Sequence, residues 1–316
     1  MKAYLNKKKR VYRVKYMPYW HRLREIVWRF KWFRKKNDSC KFHGLISSID
    51  GRMWHGGMCD RFKGIISTYL YCKINNIPFR INYNFPFNLS DYVVPNKYDW
   101  RLREGEYSES FFNAEVLNNV GEDKIRYRKS SKRQIHVYAN RDYLSQLDIA
   151  ADWGKLYKEL FKPSKKLEQA LNNINFGRYI ALVYRFQNLL GDFNEYSFTP
   201  AVDTEKTRIL KKCLDSVENT IKANPDLNIL VTSDSKTFLD KVKNMERVKV
   251  IPGEVIHIDT KGNEGKTDAY PKSFLDFYVI SGAEKVYCPG TKEMYPSQFP
   301  MYAAKINGVP FERIIL

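Results

Sequence analysis

Two adjacent glycines, a charged pair and the start of a helical pattern fall together in GGMCDRFKG, Gly56 to Gly64. Gly56 and Gly57 let backbone approach a ligand with no Cβ in the way. Asp60 and Arg61 stand where a helix begins, and the N–H groups of a helix start favour an anion. The pattern suits a phosphate-bearing ligand. An ordinary strand–turn–helix connection would use the same residue types.

A second set of chemical groups lies further along. The apolar run IALVYRF delivers Arg185 to its carboxyl end, where an Arg can fork onto a phosphate. QNLLGDFNE follows and offers Asp192 and Glu195 as general bases. LNILVTSD brings Ser233 and Asp234 to a strand end, where they would cap the next helix or meet a ligand. Ser297 and Gln298 open another helical pattern with the same two uses. Cys40, His43, His55 and Cys59 have a spacing that zinc accepts, but they flank an apolar strand and the glycine turn. No metal is expected there. The chain has no Asp-x-Asp pair to hold a divalent cation on a diphosphate. A phosphate site would then be neutralised by Arg, Lys and backbone N–H groups.

These residues need strands that end together and helices that start together. The pattern predicts a strand near 42–49, a helix over 62–75 and strands at 79–83 and 134–138. Helices follow at 152–161 and 165–173. A second, clearer set holds strands at 179–186, 227–232, 248–251 and 285–288, with helices at 204–223, 238–244, 271–281 and 297–306. Strands alternating with helices imply parallel sheets covered on both faces. Ligands of such sheets bind beyond the carboxyl ends of the strands. The expectation is an α/β protein of two Rossmann-like lobes with a cleft between them. Its divisions are an arm over 1–37, an N-terminal lobe over 38–175 and a C-terminal lobe over 176–316.

The chain has 316 residues and a net charge of +19, distributed unevenly. Residues 1–37 hold 14 Lys or Arg against one acid, Glu25, and nine aromatics. Bases interleaved with Trp and Tyr suit an anionic membrane surface. Packing of the aromatics on the body, or binding to nucleic acid, would use the same composition. No run of apolar residues is long enough to span a membrane, and no signal peptide is expected. Five scattered cysteines without a Cys-x-x-Cys fit a reducing cytoplasm.

GGMCDRFKG with its long helix resembles the N-lobe glycine loop of GT-B fold fucosyltransferases, the group of α-1,6-, nodulation-factor and protein O-fucosyltransferases. IALVYRF, LVTSDSKTFLDKVK and SFLDFYVISGAEKVYCPGTKEMYPSQFPMYAAKI are similar to the three C-lobe motifs of that group, in order. The resemblance implies a GT-B-like fold and metal-independent, inverting transfer of fucose from GDP-fucose to a glycan or lipid-linked glycan. It places Arg185 on the donor β-phosphate, Asp234 near the nucleoside, and Ser297 and Gln298 beside the diphosphate. Gly56, Gly57, Asp60 and Arg61 would close from the N-lobe. Val183 and Phe186 stand in place of the family's His and second Arg, so either one cation is missing from the phosphate site or Lys272 or Arg61 replaces it. Asn188 falls nearest the family's following acid. The competing readings are a GT-B transferase using another nucleotide sugar, a nucleic-acid-binding protein acting through the arm, and a catalytically silent α/β lectin or adaptor.

Overall fold

The computed structural model describes residues 39–127, 130–193, 200–253, 256, 258 and 270–316, together with 19, 23, 26, 27 and 30–32. In chain order the first elements are β1 (Gly44–Ile49), α1 (Met58–Ile74), β2 (Phe79–Tyr83), β3 (Val93–Pro95), β4 (Ala114–Asn119), β5 (Gln134–Ala139) and α2 (Leu144–Leu147). Next come α3 (Trp153–Leu160), β6 (Phe161–Pro163), α4 (Lys165–Asn172), β7 (Tyr179–Tyr184), α5 (Asp203–Ala223), β8 (Asn228–Ser233) and α6 (Lys236–Val242). The chain ends with β9 (Val248–Lys249), α7 (Pro271–Ser281), β10 (Val286–Gly290), α8 (Phe299–Asn307) and β11 (Phe311–Ile315).

The elements divide into two compact units, Met1–Pro86 with Tyr98–Ala151, and Phe87–Lys97 with Asp152–Leu316. The first holds a four-stranded parallel sheet in the order β2-β1-β5-β4. The second holds a five-stranded parallel sheet in the order β11-β10-β7-β8-β9. The second sheet reverses its winding once, between β7 and β10, and that reversal is a switch point where open α/β sheets take ligands. In the first sheet the chain steps from β1 out to β2, crosses to β4 and returns to β5 beside β1. The α/β expectation of two Rossmann-like units is met.

The division departs from the expected boundary at 175. Residues 87–97 and 152–175 belong to the second unit. β3 pairs antiparallel with β6 there, and Tyr92 stacks on Phe274 of α7 at 4.3 Å. Phe87 packs on Tyr270 at 4.9 Å. Buried aromatic contact decides the membership, and it links segments far apart in sequence.

Local patterns explain the layers. In α1, Phe62, Ile65, Ile66, Tyr69 and Leu70 are buried at helical spacing. The helix stops at Asn75 and turns through Asn76, which takes φ 52°. In the second unit Ile180, Leu182 and Tyr184 share one face of β7, and Ile229 and Val231 share one face of β8. Ile209, Cys213 and Val217 of α5, with Phe238 and Val242 of α6, cover that face.

Gly64 sets the distance between α1 and β5. A Cβ on Gly64 would collide with the Ala139 carbonyl, which is backbone and cannot rotate away. Gly64→Ala is expected to destabilise the protein by about 1–3 kcal/mol through overpacking. The check is the urea midpoint, and an unchanged midpoint would show that the helix can back away freely.

Candidate functional site

The polar groups at the carboxyl edge of the second unit's sheet are arranged around Asp234. Its carboxylate accepts the backbone N–H of Phe186 at 2.8 Å and of Gln187 at 2.7 Å. Arg185 Nη1 reaches the same carboxylate at 2.9 Å. Asp234 keeps 1% of its side chain exposed, whereas Arg185 keeps 18%. Burial pushes the Asp234 carboxyl up, and Arg185 and the two amides pull against that. The turn after β7 is bent, with Gln187 at φ 53°. A non-glycine residue in that region costs on the order of 1 kcal/mol and persists only where its surroundings hold it. The bonds from Asp234 to two successive amides are what hold it. Arg185 is thus fixed at the end of β7, with its guanidinium 4.8 Å from the centre of the Phe193 ring.

Capping of α6, one expected use of Ser233 and Asp234, falls instead to Ser235. Its Oγ accepts the Phe238 N–H at 3.1 Å. Asp234 is left to the turn after β7. Asp192 supports the same helix start: its Oδ2 accepts Ser235 Oγ at 2.8 Å and the Thr237 N–H at 2.7 Å. That oxygen, offered by the sequence as a base, is engaged with the first turn of α6. Glu195, the other expected base, lies outside the described residues. Phe186, which stands where the resembling family has a second Arg, is buried in the core 5.1 Å from Phe238.

Ser297 and Gln298 directly precede α8, which begins at Phe299. Ser297 Oγ accepts the Phe299 N–H at 3.2 Å, and the Ser297 carbonyl accepts Arg313 Nη2 at 2.9 Å. Gln298 is the N-cap residue and makes no side-chain cap bond. The β10–α8 turn and Arg185 therefore lie on the two strands that flank the switch point.

Neither cation proposed for the gap at Phe186 stands open at that position. Lys272 Nζ lies 2.8 and 2.9 Å from the two oxygens of Asp276, one turn along α7, and both side chains are buried. Burial pushes the Asp276 carboxyl up, opposed by Lys272. Arg61 is 2% exposed within the first unit. It donates to the Gly56 carbonyl at 3.1 Å, the Phe85 carbonyl at 2.7 Å and Tyr83 Oη at 3.4 Å. The space over Gly56 is filled by the chain itself, whereas a Cβ on Gly57 would meet nothing within 4 Å. Gly56 has φ 81°, and a Cβ there would lie 2.5 Å from the Asp60 carboxylate. The close approach expected of a ligand is made by Asp60, which also pairs with Lys63 at 2.6 Å.

The first unit holds a polar network that the sequence reading missed. It sits at β1 and β5, which are neighbours in that unit's sheet. Tyr138 Oη donates to Asp50 Oδ2 at 2.9 Å, and Arg52 Nε lies 3.6 Å from the same oxygen. Arg52 also pairs with Glu109. Burial pushes the Tyr138 hydroxyl up, and pushes Tyr107 beside Arg52 up to about 12. His136 of β5 lies 4.7 Å from Tyr107 and 5.1 Å from Trp32, and burial lowers its pKa to about 3. It is therefore neutral at physiological pH. The signal available in the sequence was Asp50-Gly51-Arg52 directly after an apolar strand.

Two residues of the zinc-like spacing, Cys40 and His55, have other partners. Cys40 Sγ accepts Gln134 Nε2 at 2.7 Å, and His55 Nδ1 is 3.1 Å from the Met53 carbonyl. Among the described residues no three His, Cys, Asp or Glu side chains converge as a metal would need. No described helix is long and apolar enough to cross a membrane.

No family model and no curated protein sequence matches the chain. Solved structures do resemble its backbone. The apo form of POFUT1 is similar at 8% identity over 88% of this chain and 99% of that chain, with a TM-score of 0.49. POFUT1 in complex with GDP gives the same values. POFUT1 in complex with GDP-fucose matches over 58% of this chain and 53% of that chain, at 9% identity and a TM-score of 0.32. The α/β assignment itself rests on the two parallel sheets of this chain.

Proposed function

We propose that the protein is a metal-independent, inverting glycosyltransferase that moves fucose from GDP-fucose to a glycan hydroxyl in surface polysaccharide or glycoconjugate synthesis. The observation that carries this reading is Arg185. It stands at a switch point on the carboxyl edge of a parallel sheet, aimed by a buried carboxylate. The ordered motifs around it, from IALVYRF to the turn before α8, support a nucleotide-diphosphate donor on the second unit. The glycosidic bond breaks with its electron pair leaving on the β-phosphate, and Arg185 stabilises the charge that builds there. The acceptor oxygen forms the new bond on the opposite face of the sugar and gives its proton to a carboxylate. Asp192, whose Oδ2 also holds the start of α6, and Glu195 are the carboxylates that follow Arg185 in the sequence and that we assign to this step. The cytoplasm is the compartment that five free thiols fit.

Thermal unfolding with nucleotides tests the donor. GDP at 100 times its dissociation constant is expected to add about 2.7 kcal/mol of stability, with or without EDTA. Stabilisation by UDP or CMP in place of GDP would move the donor to another nucleotide sugar. The absence of any nucleotide effect would remove the transferase reading.

A further inference from the structure

The turn between β10 and α8 is held from outside by the last strand of the sheet. Register places Arg313 of β11 beside Cys288 of β10. Arg313 Nη2 donates to the Pro296 carbonyl at 3.2 Å and to the Ser297 carbonyl at 2.9 Å. The Cys288 thiol lies 4.0 Å from the same Ser297 oxygen. Pro296 and Pro300 carry no N–H, which limits how far the turn can tie itself together. Within it, the Ser297 N–H bonds the Tyr295 carbonyl and the Met294 N–H bonds the Thr291 carbonyl. Fixing a carbonyl fixes its whole planar peptide. With the Ser297 oxygen on Arg313, the N–H of the Ser297–Gln298 peptide points away from Arg313. Ser297 Oγ accepts the Phe299 N–H at 3.2 Å, and that leaves its hydroxyl proton to donate. Among the described residues no carboxylate pairs with Arg313, so its cation serves the two carbonyls.

We propose that Arg313 is a positioning residue for the donor diphosphate, acting through the turn that it holds. The inference rests on the transferase reading. β7 and β10 flank the switch point, so a diphosphate on Arg185 has this turn at the neighbouring strand end. An anion takes N–H and O–H donors, and a turn supplies them when its carbonyls face the other way. Arg313 keeps two successive carbonyls turned back toward β11. Releasing them would loosen the Ser297 hydroxyl and the following N–H. It would also free two carbonyl oxygens, which repel a phosphate, to swing toward the ligand. The anchor is firm, because β11 is paired to β10 along its length.

The test is calorimetric titration of GDP into the full chain, as wild type, Arg313→Met, Ser297→Ala and the double variant. Arg313→Met is expected to weaken GDP binding about tenfold, the scale of one hydrogen bond to a charged group. Arg313 is exposed, so the melting temperature of the nucleotide-free variant should stay close to the wild type's. The two substitutions should not add. With Ser297→Ala already present, Arg313→Met should weaken binding by less than about threefold, because a group that it positions is gone. Arg313→Lys should restore part of the affinity, since an ammonium also donates to carbonyls. Wild-type binding of GDP with an unchanged affinity in Arg313→Met overturns the inference and leaves the transferase reading standing. Full additivity with Ser297→Ala makes Arg313 a distant charge and overturns it as well. A nucleotide-free melting temperature that falls for both Arg313→Met and Arg313→Lys makes it a structural residue. Failure of the wild type to bind GDP removes the inference and the transferase reading together.

Discussion

On the proposed transferase reading, Arg185→Ala will lower transfer from GDP-fucose at least about 100-fold, the scale of losing one preorganised donor from a developing oxyanion. Three features of the structure support this size. Arg185 lies at a sheet switch point, keeps 18% of its side chain exposed, and is aimed by Asp234. Asp234 is itself tied to the Phe186 and Gln187 amides, so the guanidinium needs little reorganisation at the moment of reaction. Arg185→Lys should not restore activity. An ammonium cannot hold Asp234 and a phosphate through a planar fork. The stability cost of Arg185→Ala should be modest, because two amides still satisfy Asp234. Measuring turnover, GDP stabilisation and urea midpoint together separates the possibilities. Transfer near wild type from the Ala variant would sink the assignment. A midpoint that collapses along with activity would make Arg185 a structural residue.

The second large effect is on stability. Lys272→Met is expected to cost about 3–5 kcal/mol, because it leaves the Asp276 carboxylate buried without its cation. Both oxygens of Asp276 lie on Lys272 Nζ, and the side chains are 4 and 6% exposed. The pair sits in α7, whose Phe274, Phe277 and Ile280 are fully buried. Adding Asp276→Leu to Lys272→Met should recover most of the loss, since apolar replacement of a whole buried pair is often neutral. A urea titration of the single and double variants reads both. If Lys272→Met is as stable as wild type, and GDP no longer stabilises it, then Lys272 serves the phosphate and the pairing with Asp276 is incidental.

Much of the architecture is written in single segments. The runs IALVYR and NILVTS are apolar on both faces, as strands covered on both sides must be. Pro271 opens α7 at the position where its missing N–H is harmless, and Gly282 follows its last residue. The elements that escaped notice lack such local signals. β4, AEVLNN, mixes polar and apolar residues, and its strand character comes from register with β5. β11 is the edge strand beside β10 and is mostly exposed. β3 and β6 are three residues each, and only their pairing makes them strands.

The site divides in the same way. The sequence by itself determined that Arg185, Asp234 and Ser297 would reach one edge of a sheet. Strands in parallel alternation with helices bring their carboxyl ends together whatever else happens. It likewise determined a turn at Gly56 and a helix after it. Only the tertiary structure decided what each charge would touch. Asp60 took the space over Gly56, Arg61 turned to the Phe85 carbonyl, Lys272 closed on Asp276, and Asp192 went to the start of α6. Asp50 and Tyr138 met across 88 residues. The physical reason is desolvation. Once packing expels water, a charge must bond to whichever opposite group or carbonyl lies within reach. Reach is set by the folded layers, and spacing along the chain carries no record of it.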